Sequence, residues 1–124
     1  MNPIIPVMLG GAIGAALRYF TSSLFARAGS DFPYATLSVN LIGGFAMGVL
    51  AALVLRGAAS EGIRLFVGVG ILGGFTTFSA FSLESFQMIE RGDWVSAGGY
   101  ALASVVGSIL MLGLGVAATR AVAS

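Results

Sequence analysis

The sequence predicts an all-α membrane protein built from four transmembrane helices. Of its 124 residues, 57% are hydrophobic and only 9% are charged, so a soluble domain would lack polar cover for its surface. A helix needs about 20 apolar residues to cross a bilayer. Stretches of that length fill most of the chain, so we expect a single four-span domain over residues 1–124 without a convincing signal peptide. The predicted spans are about 3–25, 34–55, 63–89 and 95–122.

Glycines spaced four residues apart mark the first two spans. Span 1 carries Gly10 and Gly14, and span 2 carries Gly44 and Gly48. Small residues at this spacing let helix backbones approach closely, and packing drives helix association in lipid. Span 1 ends its apolar core at Arg18. That side chain either snorkels to the membrane interface or serves as a vestibule cation that attracts anions or orders loops.

Span 2 contains one strongly polar residue, Asn40, and Thr36 lies four residues earlier on the same helical face. An unpaired amide in hydrocarbon costs on the order of several kcal/mol, so Asn40 should face protein or water. It either makes an interhelical hydrogen bond or lines a polar pathway.

Span 3 is the most informative, because residues 73–81, GGFTTFSAF, interrupt its apolar sequence. Glycine is a weak helix former, and Thr and Ser hydroxyls compete for backbone hydrogen bonds. Broken helix is tolerated at membrane depth only where protein or a water-filled cavity surrounds it. We therefore expect the third helix to be broken mid-membrane, at 73–77, in a site between helices. The freed backbone carbonyls are hard ligands that suit a cation such as Na⁺.

Polar and aromatic residues follow this break. Phe78 and Phe81 share a face if the helix resumes there. Glu84 is the only acid well inside a span, and an intramembrane carboxylate is by default a candidate functional residue. Span 4 then carries a stripe of hydroxyls at four-residue spacing, formed by Tyr100, Ser104 and Ser108. Three aligned hydroxyls indicate a wet or ion-lined track.

The groups inside the spans favour an anion as the permeant species. Hydrogen-bond donors prevail, and no cation inside the spans pairs with them. Phenyl edges add partial positive charge, and conduction requires weak binding at several sites. This combination suits a small, hard anion, which composition alone does not name. The donors are the Asn40 amide and the hydroxyls of Thr36, Thr76, Thr77, Ser79, Tyr100, Ser104 and Ser108.

The composition also excludes several function classes. The chain has no Cys and no His, which excludes thiolate and imidazole metal sites and the usual nucleophile pairs of hydrolases. Its net charge is +1 with no basic cluster, so no nucleic acid is expected as a partner. We expect that the protein is not an enzyme.

The arginines leave the orientation of the chain undecided. Four spans place both termini on one side, together with Arg56, Arg64 and Arg120, and they place Arg27 and Arg91 on the other. Three arginines against two give almost no bias under the positive-inside rule. Either the topology signal is merely weak, or copies insert in both directions and pair antiparallel. We expect a homodimer in both cases, because four spans cannot easily enclose a pathway alone.

Three motifs, taken together and in order, resemble the signatures of the Fluc/CrcB fluoride channels. The first is GGxxGxxxRY, starting at Gly10. The second is TLxxNxxG, starting at Thr36. The third and most specific is GGFTTFSAFxxE, starting at Gly73. The resemblance covers all four spans. One departure is Ala80, where the family often has Thr.

The resemblance implies a function and a set of site residues. It implies a passive, selective fluoride channel that exports fluoride from the cytoplasm to relieve its toxicity. It further implies an antiparallel, dual-topology homodimer in a bacterial-type inner membrane, with two pores and a structural Na⁺ held at the dimer interface by the carbonyls of Gly73 and Thr76. Phe78 and Phe81 would be the paired pore phenylalanines. The other pore residues would be Asn40, Thr77, Glu84, Tyr100, Ser104 and Ser108, and we place Thr36 and Ser79 with them.

Two other readings remain open on the residues alone. One is a four-span, dual-topology exporter of drugs or other cations, which needs a carboxylate in its binding chamber, typically in the first span. Span 1 has no acid. The other is a non-conducting scaffold protein, which would leave the aligned polar track unexplained.

Overall fold

The computed structural model describes residues 2–27, 29 and 31–123, and that part of the chain is helical throughout apart from short turns. Four described stretches are long and apolar enough to cross a membrane, namely Ile4–Ala26, Tyr34–Leu55, Glu61–Glu90 and Trp94–Val122. They begin and end close to the predicted bounds. The helical elements are α1 (Ile4–Ala26), α2 (Tyr34–Leu55), α3 (Glu61–Ile63), the π-helix π1 (Arg64–Leu72), α4 (Gly73–Phe75), α5 (Ser79–Glu90) and α6 (Trp94–Ala123).

Short turns join the long helices. Gly57 and Gly92 follow α2 and α5 with φ angles of 75° and 79°, a left-handed conformation that glycine adopts without strain at helix ends. Ser60 then begins the third span, because its hydroxyl accepts the backbone N–H of Ile63 at 3.2 Å.

Glycines bring the long helices together in two pairs. α1 packs on π1 and α4, and α2 packs on α6. A methyl group at Gly14 would collide with the carbonyl oxygen of Ile71, and one at Gly48 would collide with that of Leu112. The backbones are therefore in contact at both places, as the glycine spacing predicts. Large apolar side chains on the outer faces, such as Met8 and Leu110, are exposed and suited to lipid.

The third span is two helical pieces with different hydrogen bonding. Residues Arg64–Leu72 form a π-helix, which continues to the Gly73 N–H bonded to the Gly68 carbonyl five residues back. The helix ends at Phe75, Thr76 is extended at φ −84° and ψ 159°, and α5 begins at Ser79. The expectation that the interruption begins at Gly73 is wrong. Both glycines stay helical, with Gly74 packed against α1, and the chain leaves the helix at residues 76–78.

A small core joins the second piece of the third span to α6. Tyr100 is fully buried there, beside Met88 and Ala97. Phe81 packs against this cluster from the side of the break. The core thereby fixes the position of α5 relative to α6, and with it the polar residues described next.

Candidate functional site

The Asn40 side chain on α2 is both donor and acceptor in hydrogen bonds with the backbone of the break. Its Nδ2 donates to the Thr77 carbonyl at 3.0 Å, and its Oδ1 accepts the Thr77 N–H at 2.9 Å. A residue outside a helix has no intrahelical partner for these two groups, and burying them unpaired would be costly. The Asn40 amide supplies both partners and keeps one N–H for another acceptor.

Arg18 on α1 binds the break from the other side. Its Nε donates to the Gly74 carbonyl at 3.1 Å, and the side chain is half-buried. That carbonyl belongs to the last helical turn before the break, where intrahelical partners run out. Arg18 therefore points into the protein, toward the break.

The two threonines of the break have different roles. The Thr76 hydroxyl donates to the Leu72 carbonyl at 2.9 Å, and its methyl group packs against Gly43. The Thr77 hydroxyl accepts the Ala80 N–H at 3.1 Å, so it caps the first turn of α5. Thr77 and Ser79 also share a hydrogen bond at 3.3 Å, in which either hydroxyl could donate.

Two phenyl rings follow the break and lie together. The ring centroids of Phe78 and Phe81 are 5.4 Å apart and the planes are tilted by 41°. Phe81 lies in turn 5.0 Å from the Tyr100 ring. Phe78 is 76% exposed although it follows a half-buried backbone segment. The predicted sharing of one face by the two phenylalanines is confirmed.

Glu84 is the centre of a small polar cluster between three helices. Thr36 donates to Oε2 at 3.0 Å, and the Tyr100 hydroxyl donates to Oε1 at 3.1 Å. Both donors are buried. Within the described residues no ion pair joins Glu84 to an arginine. The two hydroxyls thus take the place of a cation in holding the carboxylate.

A groove of about 580 Å³ lies between the broken third span, α2 and α6. None of its lining side chains is charged. Ser104 is 8% exposed, and its hydroxyl has no hydrogen-bond partner in the described part of the chain. A buried hydroxyl without a partner is uncommon and calls for an explanation. The lining includes Asn40, Gly43, Met47, Leu72, Gly73, Thr76, Thr77, Phe78, Phe81, Ser104 and Ser108.

The structure distributes the residues predicted for the site over three places. Most line the groove: Asn40, Gly73, Thr76, Thr77, Phe78, Phe81, Ser104 and Ser108. Thr36 and Glu84 line a second cavity of about 410 Å³ beside the aromatic residues Phe25, Phe32 and Tyr34. Arg18, Ser79 and Tyr100 line neither cavity.

Several of the predicted donors already serve protein acceptors. The hydroxyls of Thr36 and Tyr100 bind Glu84, and that of Thr76 binds its own helix. The donors that remain for a ligand in the groove are therefore fewer than the sequence suggests. They include the second N–H of Asn40 and the hydroxyl of Ser104.

Carbonyl oxygens are the groups in this region that could hold a cation. The described residues contain no group of three or more His, Cys, Asp or Glu side chains suited to a metal. Beyond the break, the Thr77 N–H bonds Asn40 and the Ala80 N–H bonds the Thr77 hydroxyl. These two amides would otherwise bond the carbonyls of Gly73 and Thr76, two residues that line the groove. Hard carbonyl oxygens of this kind fit Na⁺.

Sequence reasoning missed two features of the site. The second motif contains Gly43, but the sequence does not show that this glycine makes room for the Thr76 methyl group at the break. The π-helical form of Arg64–Leu72 leaves no signal in the order of apolar residues.

Comparison with known proteins identifies the family of this chain. A family model described as "CrcB-like protein, Camphor Resistance (CrcB)" matches residues 5–116. The chain belongs to the CrcB family. It is 52% identical over 122 residues to the "Fluoride-specific ion channel FluC" of Sphingopyxis alaskensis, covering 97% of both chains.

Other relatives of this CrcB-family chain bear the same name. The protein of Chelativorans sp. is 49% identical over 124 residues, with 98% of this chain and 99% of the relative covered. That of Mesorhizobium japonicum is 47% identical over 116 residues, with 93% and 94% covered. The similarity therefore extends over the four long helices and the groove.

Proposed function

We propose that this chain is the subunit of a passive, fluoride-selective ion channel and is not an enzyme. The observation that carries the proposal is the groove, which contains a buried, unpartnered Ser104 hydroxyl, two phenyl rings and no charged side chain. The name that the relatives share supports fluoride as the ion.

The groove suits fluoride by its donors. Ser104 and Asn40 offer an O–H and an N–H, and the ring edges of Phe78 and Phe81 offer partial positive charge. A small anion accepts such hydrogen bonds strongly, and without an arginine in the groove it is also released. The cluster around Glu84 continues the route, and its carboxylate is held by Thr36 and Tyr100.

The working unit in this proposal is an antiparallel homodimer with two pores. Phe78 is largely exposed on one copy and the groove is open on one side, so a second copy would complete the walls. The balance of three arginines against two supports insertion in both orientations. Adding Lys residues to one loop should bias all copies and abolish flux, and coexpression of the oppositely biased variant should restore it. Full flux from a singly oriented population would refute the antiparallel dimer.

The proposal includes a structural Na⁺ between the two copies. The carbonyls of Gly73 and Thr76 in each copy would hold it, because the amides that would normally bond these oxygens in a helix bond Asn40 and Thr77 instead. Those carbonyls lie at mid-membrane depth in this arrangement. Exchange of Na⁺ for a large organic cation should lower the thermal stability of the purified dimer. Equal stability in both salts would contradict the Na⁺ site.

Flux in liposomes tests the proposed function directly. Purified protein should release fluoride from loaded vesicles down its gradient without any added energy source, and chloride release should stay at the background of empty vesicles. A cell carrying the channel in its inner membrane would thereby export fluoride and be protected from it. Chloride release at the fluoride rate would refute selectivity, and no release of either ion would refute the channel.

The four-span cation exporter is the competing function. Such an exporter uses a carboxylate in its first span, whereas α1 contains no acid. Glu84, the acid that lines the neighbouring cavity, already accepts two hydrogen bonds. The same vesicles loaded with a quaternary ammonium ion should retain it, and its release would favour the exporter.

A further inference from the structure

Among the described residues, Arg18 is the charged side chain that bonds the break, and the proposed permeation route does not use it. It lines neither cavity, and its Nε donates to the Gly74 carbonyl at 3.1 Å. A vestibule cation would instead direct its guanidinium toward water, where it attracts anions by charge alone. The contact therefore favours a different task for this arginine.

The backbone at the break shows what that task is. Normal helical bonding would join the Gly74 carbonyl to the N–H of residue 78. The chain turns away at Thr76, so this carbonyl loses its partner, and Arg18 replaces it. Asn40 does the same for Thr77 on the other side of the turn. The break is thus bound by one side chain from α1 and one from α2.

We propose that Arg18 is a positioning residue of the permeation site: it holds the Gly74 carbonyl away from the groove and so fixes the turn that presents Phe78. The inference rests on the proposed channel function for its flux readout. It assigns Arg18 a geometric task, and it predicts that retaining the charge alone does not retain full activity.

Arginine suits this task better than lysine. The planar guanidinium holds its Nε–H in a fixed direction, whereas the ammonium of lysine is a compact charge at the end of a flexible chain, one bond beyond the position of Nε. The loss of a hydrogen bond from a charged donor lowers the equilibrium constant for holding the turn about tenfold or more. The maximum flux per dimer should fall, by up to the same factor.

Two variants and a control separate position from charge. Arg18→Lys keeps the positive charge, and Arg18→Met removes it while keeping an unbranched side chain. Arg120→Met, on an exposed position in the last turn of α6, is the control for loss of one arginine. Fluoride efflux per dimer is measured over a range of fluoride concentrations at low and high ionic strength.

If Arg18 is a positioning residue, both Arg18 variants should lower the maximum flux at every ionic strength, while the control behaves as wild type. If Arg18 acts only as a vestibule charge, Arg18→Lys should have wild-type flux. In that case Arg18→Met should lose flux only at low fluoride concentration, and salt should reduce the loss, because exposed charges are screened. Either of these two results would overturn the proposal.

Amide hydrogen exchange provides a readout that does not depend on conduction. In Arg18→Lys the amides of residues 76–80 should exchange faster than in wild type, and those of α2 and α6 should be unchanged. Unchanged exchange at 76–80 would overturn the positioning role even if the protein passes no fluoride. Faster exchange in a protein without fluoride flux would support the role and refute only the proposed function.

Discussion

The two pieces of the third span are held in place by different means. The first piece, residues 61–75, lies against α1 through backbone contacts, in which Gly10 and Gly14 allow the chains to touch. The second, α5, is tied to α2 and α6 by side-chain hydrogen bonds, of which the two to Glu84 are the clearest. Backbone contact makes a rigid support, whereas polar side chains form the site. The difference predicts that substitutions at the backbone contacts of the first piece act on stability and that those in the groove beside the second act on conduction.

Asn40→Asp should have the largest effect and should act on conduction. The carboxylate loses the N–H that binds the Thr77 carbonyl, and it adds a negative charge to the groove. An anion about 4 Å from that charge is repelled by about 4 kcal/mol at an effective dielectric constant near 20, so fluoride flux should fall more than about a hundredfold. Fluoride efflux from loaded vesicles measures this fall in flux.

Asn2→Asp is the matched control for that substitution. Asn2 is exposed outside the groove, and its Oδ1 accepts the Ile4 N–H, which an aspartate can also do. The control should conduct as wild type. Retention of flux in Asn40→Asp would place the pathway elsewhere.

Gly14→Ala should act on stability through the first piece. The added methyl group meets the Ile71 carbonyl, which belongs to a backbone that cannot yield without separating α1 from π1. Overpacking of this kind costs about 1–3 kcal/mol. Thermal unfolding in detergent should show the loss, while flux per folded dimer stays close to wild type.

Gly11→Ala on the same helix has free space around the new methyl group and should leave the unfolding temperature unchanged or slightly raised. A large change of flux per folded dimer in Gly14→Ala, with normal stability, would contradict the division of tasks between the two pieces.

Thr36→Val should have the smallest effect. It removes one of the two hydroxyls that bind Glu84, and the Tyr100 hydroxyl remains. The loss of one buried hydrogen bond costs about 1 kcal/mol. Thermal unfolding measures this loss of stability. Thr119→Val is the control, because in the described part of the chain the Thr119 hydroxyl bonds the Gly115 carbonyl of its own helix. Equal changes in both variants would mean that the Glu84 cluster adds no specific stability.

Much of this fold could be predicted from the sequence, because the length of an apolar stretch shows where a membrane helix lies and the spacing of glycines shows where two helices touch. The interruption near Thr76 and the shared face of Thr36 and Asn40 followed from local chemistry and helix periodicity. The polar partners of those side chains did not follow, because they depend on how the helices are rotated and at what depth they meet.

The contacts around the break likewise depend on how the helices are placed relative to one another. The hydrogen bond from Arg18 to Gly74 could not be predicted, because it depends on the distance between α1 and a residue 56 positions later in the chain. The π-helix Arg64–Leu72 arises from hydrogen bonds that apolar periodicity does not encode. The interruption begins at Thr76 and not at Gly73, and the helical turn before it lies against α1 at Gly74, a contact that the sequence does not show.

Fluoride flux through a phenylalanine variant tests most directly the claim that the groove conducts by way of its rings. Phe78→Ile keeps an apolar side chain but removes the positive ring edge, so efflux per dimer should fall about tenfold or more while the dimer still assembles. Phe81→Ile should behave alike, and Phe45→Ile, on α2 outside the groove lining, should conduct as wild type. Wild-type flux in both groove variants, or an equal loss in Phe45→Ile, would contradict the account.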